Sequence, residues 1–257
     1  MKNLLLLVSI SGILFTGCSH EQQAGSEQIP LLPYPRELIL MEGQFHPSDA
    51  VTLRASGLTE ESDPVLFSQL DQSIYEAYGI KVVTEETEMP DIWIGLPETD
   101  ITLKTLCEQE SIWPTEEIGE EGYVLKITGN RILLASNTNQ GLFYGVQTLR
   151  QLFREFTEKP GIPAMMICDW PGIPVRAIMD DISRGPIPSN VYIKDQIRRY
   201  SELKINHMSF YIEHVVRTEK HPGFAPSDGA LSIEEFRELS EYASSYHIKL
   251  IGSFQSL

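Results

Sequence analysis

RAIMDDISRGPIP, residues 176–188, decides how this chain is read. Ala177, Ile178 and Met179 read as a buried strand. Asp180, Asp181, Ser183 and Arg184 crowd its carboxyl end before Gly185 and Pro186 stop it. Charged groups are costly to take out of water, so a cluster at a strand end implies that something uses them. The sequence downstream repeats the rhythm. Residues 190–203 have helical spacing, NHMSFYIEH (206–214) is a second strand, 231–246 a second helix and 248–254 a third strand. Ser232 and Glu235 stand at capping-box spacing. Strand, helix, strand, helix, strand opens a parallel α/β sheet or barrel, where chemistry collects at the strand ends. Asp181 and Arg184 after the first strand, and Glu213 and His214 after the second, are therefore the candidate site residues. The spacing equally allows Asp181 to pair with Arg184 and simply close the strand.

Upstream the pattern is mixed. Residues 37–55 hold two short strands, and 63–80 a helix with Asp63 as cap, Pro64 at its first position and Gly79 at its end. KVVTEE and DIWIGLP follow as strands. GYVLKITGNRILLAS (122–136) reads as a hairpin in which Gly129-Asn130 supplies positive φ. Leu142, Val146, Leu149, Phe153 and Phe156 line one face of the next helix, and Gly141 and Gly145 permit close packing on a sheet. These elements imply an α+β unit with helices on one face. Pro160, Pro163, Pro171 and Pro174 make the following segment a stiff connection, with a boundary near residue 170.

At the N-terminus, MKNLLLLVSISGILFTGCSHE has one Lys, an apolar run too short to span a bilayer, and small residues before Cys18. That is an export signal. Thr16-Gly17-Cys18 resembles a bacterial lipobox, which implies lipidation at Cys18, a signal over 1–18, a polar tether over 19–28 and anchorage to the cell envelope. The net charge of −16 argues against a basic face for nucleic acid or anionic lipid. Cys107 and Cys168 make no disulfide framework, and no HExxH, CxxC, P-loop or GxGxxG motif is present. Neither a metal nor a cofactor is indicated.

With these segments in place, the chain resembles the bacterial β-N-acetylhexosaminidases, glycoside hydrolase family 20. RAIMDDISR (176–184) is similar to the segment that starts the family's barrel, GLFYGVQTLRQLF (141–153) to the last helix before it, and IPLLPYPREL (29–38) to the mature start. Ala177, Asp180 and the run Gly185-Pro186-Ile187-Pro188 depart from the usual pattern. The O-GlcNAc hydrolase and hyaluronidase groups are neighbouring families.

The resemblance implies an α+β N-terminal domain over 29–165 and the truncated start of a (β/α)8 TIM barrel over 172–257. It implies removal of terminal β-linked N-acetylhexosamine from an oligosaccharide or glycoconjugate by retaining hydrolysis, in which the substrate's own acetamido oxygen attacks the anomeric carbon. Arg184 would hold sugar hydroxyls, Asp181 would fix the Arg or the strand end, and Glu213 or His214 would reach the same pocket. An Asp to orient the acetamide and a Glu as general acid are expected beyond Leu257, which predicts an inactive fragment of a longer enzyme. The alternatives are a surface glycan-binding lipoprotein without the chemistry, and an α/β domain whose strand-end charges are structural.

Overall fold

The computed structural model describes residues 29–157 and 161–254. Cys18 and the segment 19–28 lie outside them. Strands β1 (Glu37–Phe45), β2 (Val51–Ser56), β3 (Val82–Thr84), β4 (Ile92–Gly95), β5 (Tyr123–Ile127), β6 (Ile132–Ser136) and β7 (Ile162–Asp169) form a seven-stranded mixed sheet in the order β1-β7-β5-β6-β4-β2-β3. The β1, β7, β5 and β6 side is antiparallel, and the β6, β4, β2 and β3 side is parallel.

Three helices serve this sheet: α1 (Pro64–Tyr78), α2 (Ile101–Glu110) and α3 (Asn139–Glu155). Asp63 starts α1 by accepting the Leu66 N–H at 3.1 Å, and Gly79, at φ 70°, ends it in the left-handed conformation. Helices cover both faces rather than one. Ile92, Ile94, Leu125 and Leu134 belong to the core that includes residues of α1 and α3, whereas Trp93, Val124 and Leu133 pack with Leu103 and Cys107 of α2. Consecutive residues of β4 and β6 are all buried, so both faces of these central strands need cover.

Gly141 and Gly145 do provide the close approach. A Cβ on Gly141 would fall 2.0 Å from Ser136 Oγ, and one on Gly145 would fall 2.3 Å from a Leu134 methyl. The β5–β6 hairpin forms as expected, but its turn uses no positive φ. The Thr128 N–H donates to Arg131 O at 2.9 Å, and its hydroxyl oxygen accepts the Arg131 N–H at 3.2 Å. The supposed stiff connection is largely strand. β7 pairs with both β1 and β5, with Pro163 opposite Gln44 at an irregularity in the β1 register, and the sheet runs on to Asp169. Its apolar residues Ile162, Ala164, Met165 and Ile167 are buried.

The second unit is a three-stranded parallel sheet of β8 (Ala177–Asp181), β9 (His207–Tyr211) and β12 (Lys249–Ser253), with β9 central. Between these strands run α4 (Asn190–Glu202) and α5 (Ile233–Ser245), and β10 (Val216–Arg217) pairs with β11 (Leu231–Ser232). The Ser232–Glu235 capping box is present. Met208 and Phe210 are buried with Ile193, Ile197, Leu239 and Ala243 of the two helices. β8 itself is not buried: Met179 is 65% exposed, because β8 is an edge strand and the sheet face away from α4 and α5 is uncovered.

Polar contacts join the two sheets at the start of β8. Arg176 donates to Lys204 O at 2.7 Å and to Glu121 at 2.5 Å, and Asn206 donates to Glu121 at 2.8 Å. Lys204 pairs with Asp169 at 2.7 Å and donates to the Tyr123 hydroxyl at 2.9 Å.

Candidate functional site

Parallel pairing sets Asp181 beside Tyr211 and Tyr211 beside Ser253, so all three strands present a polar residue at the same rim. These positions share the uncovered face with Met179 and Ile251, because side chains alternate along a strand. Arg184 follows β8 and reaches Glu213, which follows β9, with Nη2 3.6 Å from Oε1. The Tyr211 hydroxyl donates to the same Glu213 oxygen at 3.2 Å.

Asp181 does not pair with Arg184. Its Oδ1 accepts both the Ser183 hydroxyl at 2.6 Å and the Ser183 N–H at 2.9 Å, which folds the chain back at the strand end. These hydrogen bonds hold its carboxyl below the usual range, and the nearby Arg184 charge adds to the effect. Partial desolvation raises the Tyr211 phenol, and its bond to Glu213 raises it further. His214 is exposed, and among the described residues no hydrogen bond or ion pair joins it to Arg184 or Glu213.

The arrangement is an open rim with one planar cation, one carboxylate that it pairs with weakly, and one phenol. Arg184 is 81% exposed in its side chain, so most of its fork of donors is free for hydroxyl oxygens. Glu213 can accept from hydroxyls in turn. Among the described residues no group of three or more His, Cys, Asp or Glu is placed to hold a metal ion. Sequence reasoning missed Tyr211 and Ser253. Period-two alternation finds Tyr211, which has the same parity as Glu213, whereas Ser253 carries no local signal.

The family model for glycosyl hydrolase family 20, domain 2, matches residues 28–170. A β-hexosaminidase of Akkermansia muciniphila is 30% identical over 173 residues, covering 60% of this chain and 34% of its own length. A β-hexosaminidase of Porphyromonas gingivalis is 26% identical across 99% of this chain and 34% of its own. The chain thus spans about a third of the length of these curated relatives. Among solved structures, the Streptomyces plicatus N-acetyl-β-hexosaminidase in complex with Thio-NAglucal superposes with a TM-score of 0.69 at 20% identity, over 86% of this chain and 45% of that one. The β-N-acetylhexosaminidase of Bacteroides fragilis gives 0.65 at 20%, over 86% and 44%. At that identity the likeness speaks for the fold.

Proposed function

The chain belongs to glycosyl hydrolase family 20, and from that premise we propose that it serves an exo-β-N-acetylhexosaminidase. The substrate is a terminal β-linked N-acetylhexosamine on an oligosaccharide or glycoconjugate. Its acetamido oxygen attacks the anomeric carbon while the glycosidic oxygen leaves with a proton, and water then opens the cyclic intermediate with net retention. In this reading residues 29–165 are an α+β domain, and 172–257 supply the first three β/α units of a TIM barrel, whose active rim lies at the carboxyl ends of its strands.

The observation that carries the reading is the meeting of Arg184, Glu213 and Tyr211 at that rim. Arg184 donates to sugar hydroxyls, Glu213 accepts from them and holds the Arg, and Tyr211 fixes Glu213. Asp181 supports the rim by closing the strand end through Ser183. His214, also expected from the sequence to contact substrate, is exposed and makes no bond to Arg184 or Glu213 among the described residues. In the same reading Cys18 carries a lipid that anchors the protein to the bacterial envelope, and palmitate labelling of the full chain is expected to be lost in Cys18→Ser.

Binding of N-acetylglucosamine, followed by saturation-transfer NMR alongside turnover of a chromogenic N-acetyl-β-glucosaminide, tests the reading. Specific binding that disappears in Arg184→Ala supports it. Binding indifferent to Arg184, or equal for glucose, overturns it.

A further inference from the structure

A cavity of 340 Å³ opens at the seam between the two sheets, at the end of β8 opposite to Arg184. Arg176 precedes β8 and Arg184 follows it, and the strand between them spans roughly 17 Å at ~3.3 Å per residue. The cavity is therefore separate from the rim described above. Its size lies within the usual range for small-molecule pockets, about 300–1,000 Å³.

The walls are apolar and aromatic, with Tyr34, Trp170, Pro171 and Ile173 among them, and Lys204 and Arg36 also line the space. The carboxylates at the seam are already engaged. Glu121 accepts from Arg176 and Asn206, and Asp169 accepts from Lys204, Tyr123 and the Arg36 backbone N–H. Among the charged groups of the lining, those left with capacity are donors. Lys204 is buried, has three N–H bonds, and uses two of them on Asp169 and Tyr123.

Arg36 is the residue that seam-holding does not explain. Its Nε donates to Trp170 O at 2.8 Å, and its guanidinium lies over the Trp170 ring, 4.9 Å from the centroid. Among the described residues neither Nη has a hydrogen bond and no carboxylate pairs with the side chain. Gly172 makes this pose possible, because a Cβ there would stand 2.6 Å from Arg36 Nη2. The Arg36 main chain and the Lys204 ammonium hold opposite oxygens of Asp169, so the two cationic residues meet at one carboxylate. Arg36, Arg176 and Lys204 outnumber Glu121 and Asp169 in the lining, a local positive surplus in a chain of net charge −16.

We propose that this cavity binds a monosaccharide-sized sugar acid. Its ring packs against the Tyr34, Trp170 and proline walls, and its carboxylate accepts from the Arg36 guanidinium and the remaining Lys204 N–H. An aromatic wall suits the C–H face of a pyranose, an excess of donors suits its oxygens, and the surplus cation selects the acid over the neutral sugar. The site does not depend on the glycosidase reading, since no residue of the Arg184 rim takes part.

The test is a titration of the full chain with D-glucuronate and D-glucose, read by saturation-transfer NMR and Trp fluorescence. It is repeated on Arg36→Gln, Gly172→Ala and Arg184→Ala. Glucuronate is expected to bind about tenfold or more tighter than glucose, the worth of one charge-assisted hydrogen bond. Arg36→Gln and Gly172→Ala remove that preference, while Arg184→Ala keeps it. Arg36 is exposed, so Arg36→Gln leaves the buried cluster in place, and its circular-dichroism melt verifies the fold. Equal binding of the two sugars, no saturable binding, or a preference lost in Arg184→Ala and kept in Arg36→Gln overturns the proposal.

Discussion

The Lys204 ammonium lies 2.7 Å from Asp169 Oδ2, an ion pair between the turn after α4 and the last residue of β7, and it ties the parallel sheet to the mixed one. Burial lowers the affinity of Lys204 for its proton, and the Asp169 charge opposes that loss. Lys204 also holds a left-handed backbone, φ 57°, which is unusual for a residue other than Gly. Breaking a buried pair from one side leaves an uncompensated charge. Lys204→Met is therefore expected to destabilise the fold by about 3–5 kcal/mol. Adding Asp169→Asn should recover most of that in urea unfolding. A double variant no more stable than the single would show that the pair is not what holds the seam.

Gly141 and Gly145 lie on a helix, where Ala is intrinsically better than Gly by about 1 kcal/mol. The contacts reverse the sign. The Cβ of Gly141→Ala would also meet the Gly122 carbonyl at 2.3 Å, and backbone gives way less readily than a leucine methyl. Gly141→Ala is expected to lower stability by about 1–3 kcal/mol, as overpacking does, and to cost more than Gly145→Ala. Thermal melts of the two variants compare them directly.

Arg184 separates function from stability. Its bridge to Glu213 is 3.6 Å long and its side chain is mostly exposed, so it adds little to folding. Arg184→Ala should change unfolding by no more than about 0.5 kcal/mol while abolishing N-acetylglucosamine binding. Arg184→Lys keeps the charge but not the planar fork, and should leave binding clearly weakened.

Asp181 should titrate below the ordinary carboxylate range, because Ser183 donates to its ionised form twice. A carboxyl depressed in the folded state adds stability that is present above its unfolded value, about 3.9, and lost as pH falls through the folded value. Carbon-13 NMR titration of the carboxyl measures this. In Ser183→Ala the midpoint should rise toward the ordinary value.

Cys107 lies on the buried face of α2, and burial pushes its thiol up to about 12. Iodoacetamide at pH 8 should leave it unmodified in the folded protein and label it on unfolding, since the thiolate is the reacting form. Labelling at equal rates in both states would contradict its place in the core.

Much of the fold was legible because its signals act over a few residues. The Asp63 cap, the Gly79 stop, the Ser232–Glu235 capping box and the apolar stripe of α3 are each local, and each stands where the spacing put it. Local reasoning failed at Gly129-Asn130, where a Thr128 hydroxyl served instead of positive φ, and at residues 162–169, where prolines hid a strand. Pro163 is accommodated because it falls at an irregularity of the β1 pairing, which only the partner strand reveals.

By itself, then, the sequence determined most of the strands and helices, though neither α2 nor β7, together with several helix ends and the placing of charge at the ends of β8 and β9. The tertiary structure alone decided that Arg184 meets Glu213 rather than Asp181, that Tyr211 joins them and His214 does not, and that helices cover both faces of the mixed sheet. The physical reason is range. Caps and periodicity are settled by contacts within a turn or two, whereas strand register and the Lys204–Asp169 pair link residues far apart along the chain, whose meeting no local spacing records.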